Sequence, residues 1–184
     1  KVSCGDPEIF YIRAGSAAST LSPADIKSID FSDYSAIHMT GILPALSESC
    51  RQTAFRLKEK AQQAGLLVSF DPNLRPQLWP STEAMREFMH AFAAGCDLFF
   101  PGIGEAQLLT GLSDPAAILD YYCKLGAKTV ILKDGSKGAH YQNAQERGTV
   151  AGFQVEVIDT VGAGDGFAAG TLSGLLEKLP LPEA

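Results

Sequence analysis

Apolar positions along the chain switch repeatedly between short continuous runs and helical spacing. "EIFYIR" (8–13), rich in aromatic and β-branched residues, predicts a strand that "GSAAS" breaks. Ser22 followed by Pro23 is an N-cap with proline at the first helical position, and predicts a short helix. "YSAIHMTGI" (34–42) reads as a buried strand ending at Gly41. Residues 48–64 carry an apolar stripe of Cys50, Ala54, Leu57, Ala61 and Ala64, with Lys and Arg elsewhere and Gly65 as the stop. "LLVSFD" (66–71) is uninterrupted, as expected of a strand covered on both faces. A helix over 82–94 follows Ser81, turns Met85, Phe88, Met89 and Phe92 inward and ends at Gly95.

The alternation continues to the end. "CDLFFPG" predicts a strand, "EAQLLTG" a short helix, and Asp114-Pro115 opens another helix that Gly126 closes. "KTVILK" (128–133) is a buried strand. "GAHYQN" and "VAGFQVEVI" predict an antiparallel pair around the polar "AQERG", the second strand ending at Ile158, and a last helix begins near Ala163. Strand–helix alternation implies an α/β layered sheet with right-handed crossovers. Ligands of such sheets sit beyond the carboxyl ends of the strands, which selects residues 40–44, 71–79, 100–105, 134–138 and 159–165.

Composition narrows the function classes. With 46% apolar residues the chain can bury a core, and its net charge of −6 without a Lys/Arg cluster argues against nucleic acid or an anionic membrane as main partner. A small anionic substrate stays open, because local charge in a cleft can differ from the total. Cys4, Cys50, Cys96 and Cys123 lie far apart without a C-x-x-C, and His38, His90 and His140 are equally scattered. All seven are assigned buried or half-buried structural roles, and a reducing cytoplasm fits this usage. No apolar run approaches the roughly 18 residues of a membrane span, and no signal peptide is evident. The absent initiating Met and the opening in mid-strand suggest a piece of a longer protein lacking material at both ends.

The densest chemistry lies in "DTVGAGDGFAAG" (159–170). The first turn of a helix exposes unpaired N–H groups and a partial positive charge, and glycine lets backbone approach a ligand. Gly162, Ala163 and Gly164 can form an anion pocket, while Asp165 can accept the proton of an attacking hydroxyl. The bland alternative is a glycine turn that only packs helix on sheet. Gly166, Gly170 and Gly174 are spaced for close packing of that helix. G-x-x-x-x-G-K-[ST] is absent, and Phe167 stands where G-x-G-x-x-G needs its last glycine.

D-T-x-G-A-G-D resembles the C-terminal signature of the ribokinase-like (PfkB) carbohydrate kinases. The resemblance implies a three-layer α/β/α sandwich with a mostly parallel sheet, here one partial kinase domain over 1–184, with residues 1–20 as a lid-proximal strand and its return. It implies Asp165 as catalytic base, the amides of Gly162 to Gly164 as anion hole, and Asp159 near the nucleotide and a monovalent cation such as K⁺. "LKDGSKGAHY" resembles the family's nucleotide-binding strand and turn, giving Lys133, Gly135, Ser136 and Gly138 to ATP together with Gly162 and Gly164. "FPGIGEAQLLTG" stands in the place of the family's N-x-x-E, giving Glu105 an indirect role with Mg²⁺, although Gly102 replaces the Asn.

"YIRAGSAAS", "HMTGILPAL" and "FDPNLRPQLW" resemble the 2-keto-3-deoxygluconate kinases of this family. The resemblance implies substrate contacts from Tyr11, Arg13, Ile42 and Arg75. Arginine's planar fork suits a carboxylate, and a neutral sugar would not need both. Arg75 pairing with Asp71, or Tyr11 and Arg13 lying on a solvated strand edge, are the plain structural alternatives. The expected activity is ATP-dependent phosphorylation of a primary hydroxyl of a sugar acid, 2-keto-3-deoxygluconate first, in a cytoplasmic homo-oligomer. A fructokinase or other neutral-sugar kinase, since fructokinases share D-x-N-x-R, and a non-catalytic sugar- or nucleotide-binding remnant are the other readings.

Overall fold

The computed structural model describes Arg13 and residues 15–184. The strand expected over 8–13 lies outside the described residues apart from Arg13, which belongs to no regular element. Among the described residues one sheet runs in the order β1 (Ala36–Thr40), β2 (Leu67–Asp71), β3 (Leu98–Phe99), β4 (Thr129–Lys133), β5 (Ala139–Gln142), β6 (Arg147–Val150). The first four strands are parallel, and β5 and β6 add antiparallel to that sheet. Helices are α1 (Ile42–Leu46), α2 (Glu48–Gln63), α3 (Thr82–Ala93), α4 (Ile103–Thr110), α5 (Pro115–Leu125) and α6 (Ala163–Leu176).

The strands are apolar on both faces because both are covered. Side chains alternate across a strand, so Val130 and Leu132 of β4 join Val68, Phe70 and Phe99 in one core, while Ile131 joins Leu98, Phe100 and Ala139 in another. The first core is closed by Cys50-facing α2 residues Ala54 and Ala61, by Met85, Phe88, Met89 and Phe92 of α3, and by Ile118, Leu119 and Tyr122 of α5. Leu172 and Leu175 of α6 close the second. Helix–sheet–helix layering follows, with tilted aromatic pairs such as Phe70–Phe92 (4.5 Å) and Phe99–Tyr122 (4.6 Å) filling the larger core.

Sequence caps set the helix starts. Ser47 accepts from Cys50 N–H (3.2 Å), Ser81 from Ala84 N–H (3.1 Å) and Asp114 from Ala117 N–H (3.0 Å). The helix expected at Ser22–Pro23 does not form. Asp25 accepts from both the N–H (2.8 Å) and the hydroxyl (2.7 Å) of Ser22, which closes a local turn rather than a propagating helix. Ala64, assigned to the α2 stripe, is exposed.

The hairpin forms, but its second strand is Arg147–Val150, not 150–158. Asn143 Oδ1 accepts from the N–H groups of Gln145 (2.8 Å) and Glu146 (2.9 Å), and this tight turn pairs Gln142 with Arg147. Residues past Val150 then run beyond the start of β5, and Phe153, Val155, Val157 and Ile158 are exposed, so no strand ends at Ile158. Gly166 and Gly170 face open space, and only Gly174 of the spaced glycines meets a close neighbour, Ala184.

No described helix is long and apolar enough to cross a membrane. Lys58, read from the sequence as surface, is buried. Its ammonium donates to the carbonyls of Phe92 (2.6 Å) and Ala94 (2.5 Å), satisfying the end of α3, and lies 5.0 Å from the centroid of the Phe92 ring. Burial lowers its pKa. Lys58→Met keeps the stem and orphans those carbonyls; it is expected to lower unfolding free energy by about 1–3 kcal/mol, read from urea denaturation followed by circular dichroism.

Candidate active site

The parallel strands bring the carboxyl ends of β1, β2 and β4 to one edge. Asp71, the last residue of β2, is buried and organises it. Its Oδ2 accepts from Lys133 Nζ at the end of β4 (2.5 Å), its Oδ1 from Asn73 N–H (3.0 Å), and its carbonyl from Gly41 N–H (2.9 Å). A Cβ at Gly41 would lie 2.0 Å from Pro72 O, so only glycine brings α1 and Ile42 this near the loop after β2. Asn73 sits at φ +37°, a conformation asparagine tolerates and one concentrated at ligand loops.

Glu105 belongs to the first turn of α4 and reaches two backbones. Oε2 accepts from Gly102 N–H (2.8 Å) and Oε1 from Leu74 N–H (2.7 Å). Burial raises its pKa; the two N–H groups oppose this, Asp71 adds to it and Lys133 counters it. Gly102 is extended, with φ −74° and ψ 152°. Arg75 is half-buried and donates from Nη1 to Leu74 O (2.7 Å), so Asp71's short contact is with Lys133.

The glycine turn comes over this edge. Gly162, at φ +80°, caps α6 in the left-handed region that glycine favours. Asp159 Oδ1 accepts from Val161 N–H (2.9 Å) and Thr160 O from Ala163 N–H (3.2 Å), which shapes the turn. Ala163's amide is thus engaged within the turn, and the Gly164 and Asp165 N–H groups are the first-turn donors left without an intrahelical acceptor. A Cβ at Gly164 would lie 3.6 Å from Lys133 Nζ and 4.0 Å from Asp71 Oδ2, so the helix start lies next to the ion pair. Asp165 is exposed beside them.

His38 of β1, assigned a structural role by its isolation, belongs to this neighbourhood and is exposed as a residue. Its Nδ1 lies 2.8 Å from Ser69 Oγ. Partial burial lowers its pKa, against the pull of Asp71 and Asp165 and with the push of Lys133. Together with Asp71 it escaped sequence reasoning; the signal available was strand alternation, which sets residue 38 opposite Met39.

The turn after β4 holds Gly135, Ser136 and Gly138, with Gly135 and Ser136 exposed. Gly138, at φ +100°, has a structural reason as well: its Cβ would lie 2.0 Å from Val150 O. Arg13 is half-buried, and Tyr11 lies outside the described residues. Grooves beside Pro23 and α2, and between α5 and the β5–β6 hairpin, contain none of the candidate residues. Among the described residues no cluster of three or more His, Cys, Asp or Glu side chains could hold a metal. Glu105 accepts one backbone N–H at each oxygen, and Asp159 accepts one from its own turn.

A glycine-capped helix start next to a lysine–aspartate pair at the carboxyl edge of a parallel sheet is an arrangement that can take up an anion. Residues 1–184 match the family model of the pfkB family carbohydrate kinases. The chain belongs to that family. The pfkB-family chain is 44% identical over 185 residues to 2-dehydro-3-deoxygluconokinase of Bacillus subtilis (strain 168), a match covering 100% of this chain and 57% of that relative. It superposes on the PfkB protein from Polaromonas sp. JS666 with TM-score 0.90 and 42% identity, over 100% of this chain and 60% of that one. A fructokinase from Vibrio cholerae O395, in its fructose, ADP and calcium ion bound form, gives TM-score 0.79 and 29% identity over 88% and 52%. The chain therefore spans little more than half the length of these relatives. The ribokinase-like α/β/α architecture is that of its structural neighbours.

Two glycine substitutions separate packing from freedom in this pfkB chain. Gly138→Ala meets both a positive φ and backbone at 2.0 Å and is expected to destabilise by about 2–3 kcal/mol. Gly170→Ala, inside α6 with nothing within 4 Å, is expected to stabilise by about 0.5–1 kcal/mol. Denaturant midpoints of the two variants check both.

Proposed function

We propose that the protein transfers the γ-phosphoryl group of ATP to the primary hydroxyl of a sugar acid, converting 2-keto-3-deoxygluconate to its 6-phosphate. The observation supporting this reading is the nearness of the α6 first turn to the Lys133–Asp71 pair, with Asp165 exposed in that turn. Amide N–H groups of Gly164 and Asp165 and the Lys133 ammonium supply fixed positive charge where a phosphoryl group carries negative charge. Asp165 orients the alcohol and takes up its proton as the new O–P bond forms. Phosphoryl transfer has a loose transition state, so positioning and late proton acceptance suffice. Magnesium would enter with ATP and neutralise phosphate charge, with Glu105 in an indirect role. Gly135, Ser136 and Gly138 take the nucleotide side.

Arg75, in the loop after β2, and Arg13 would hold the sugar's carboxylate, with Ile42 and Tyr11 against its carbon chain. The 44% identity to the Bacillus subtilis 2-dehydro-3-deoxygluconokinase supports this choice. A neutral-sugar kinase is the second reading, favoured by the fold likeness to a fructose-bound fructokinase. Free thiols at Cys50, Cys96 and Cys123 support a reducing, cytoplasmic setting. A homo-oligomer, a monovalent cation near Asp159, and a sugar acid and ATP as partners, with no nucleic acid or membrane, complete the proposal.

A panel of 2-keto-3-deoxygluconate, gluconate, fructose and ribose, read by ADP release from the whole protein, is expected to favour the keto-deoxy acid. A preference for fructose would shift the assignment to the neutral-sugar reading, and binding without ADP would leave a binding domain. Asp165→Asn is expected to lower kcat by at least ~100-fold with KM little changed; a near-normal kcat would remove Asp165 from the chemistry.

A further inference from the structure

The helix turn that carries Asp165 is rich in glycine. Gly162, Gly164 and Gly166 follow one another at every second position, and Gly170 stands one turn on, so the backbone there keeps unusual freedom. The side of α6 turned to the sheet is mostly small. Gly164 lies next to the Lys133–Asp71 pair, and Ala168, Thr171 and Gly174 are buried. Small residues let a helix approach a sheet closely, but it is larger side chains, acting as ridges, that key its orientation. Phe167 is the one aromatic residue of α6, and its place three residues after Gly164 puts both on the same face.

Phe167 meets Phe100 with ring centroids 6.2 Å apart and planes at 84°, an edge-to-face pair. Phe100 is the fixed member. It is fully buried in the second core with Leu98, Ile131 and Ala139, and its N–H donates to Phe70 O (2.9 Å) directly after β3. His38 of β1 packs on the same ring, with centroids 6.4 Å apart and planes at 66°. Successive helix positions are about 100° apart, so Asp165 stands off the sheet-facing side, and its direction changes whenever α6 turns about its axis. Misplacing a reacting group by about 1 Å can cost on the order of 100-fold in rate.

We infer that Phe167 is a positioning residue: seated edge-on against Phe100, it fixes the rotation of the α6 first turn and so the direction in which the Asp165 carboxylate meets the alcohol. The inference rests on the reading in which Asp165 takes up the alcohol's proton.

The test combines Phe167→Leu with Asp165→Asn in the whole protein and reads steady-state kinetics. Leucine keeps an apolar side chain and has no ring edge to offer. Phe167→Leu is expected to lower kcat on the order of tenfold, the factor an edge-to-face pair is worth, while the KM values for sugar and MgATP stay within about twofold. In the Asp165→Asn background the same substitution is expected to change kcat by less than about twofold, because the carboxylate it positions is gone. Phe100→Leu reproduces the loss, and the variant carrying both leucines is within about twofold of either alone, as for two halves of one contact. A Phe167 that only held the fold together would slow both backgrounds alike. Equal losses in the two backgrounds, an unchanged kcat in Phe167→Leu, or losses at Phe100 and Phe167 that multiply overturn the inference. Phe167 is 38% exposed, which leaves room for the change; Phe167→Met carries the comparison if the leucine variant fails to fold. The failure of the underlying reading looks different: Asp165→Asn alone then keeps a near-normal kcat. A slow Asp165→Asn beside a Phe167→Leu of wild-type rate sinks the positioning role alone.

Discussion

The ion pair between Asp71 and Lys133 is the constraint on which the edge is built. The side chains are 5% and 18% exposed, so both charges have given up most of their water. That desolvation is offset by their 2.5 Å contact and by the Asn73 N–H on the other carboxylate oxygen. β2 and β4 are not neighbours; β3 lies between them. The pair therefore bridges the sheet edge across a strand only two residues long, and it sets the loops after β1, β2 and β4 relative to one another. The start of α6 lies next to this bridge, and Phe167 of the same helix packs edge-on against Phe100. Removing either partner would leave a buried charge beside the turn that receives phosphate in the proposed reaction.

How much of this could be read from the chain depends on whether the deciding contact is local. α2, α3 and α5 fall within a residue of their expected bounds because Ser47, Ser81 and Asp114 cap them and glycine follows each. The strands at 67–71 and 129–133 are equally plain, since both faces are apolar. The failures are local rules beaten by a competing local contact. Ser22–Pro23 carries a helix-start signature, yet Asp25 satisfies the serine so completely that a turn is enough. "FQVEVI" alternates like a strand, yet the Asn143 turn fixes the pairing on Arg147–Val150, before it.

The site was legible in its residue types and less so in its bonds. Arg75 falls on a carboxyl-end loop that strand order selects and Lys133 on the last residue of β4, while the glycine turn and Asp165 follow no strand. What a sequence cannot hold is the pairing across distance: Asp71 meets Lys133 62 residues away, and Glu105 meets Leu74 31 residues away. Lys58 shows the same limit, because a lysine on a helical surface stripe gives no sign that carbonyls of another helix wait opposite it.

The edge also resolves an apparent conflict of charge. A chain of net charge −6 with Asp71, Glu105 and Asp165 around one site should repel a nucleotide and a sugar acid. Each of those acids is differently committed. Asp71 is neutralised by Lys133, and Glu105 is turned onto two backbone N–H groups. Asp165 alone is exposed, at a helix start whose dipole favours a negative group. The field an incoming anion meets is then set by the first-turn amides, with Lys133 paired to Asp71 and one carboxylate placed beside them rather than in their path. A lone acid at the lip of an anion pocket is poorly suited to storing phosphate, and well suited to holding the hydroxyl that phosphate moves onto.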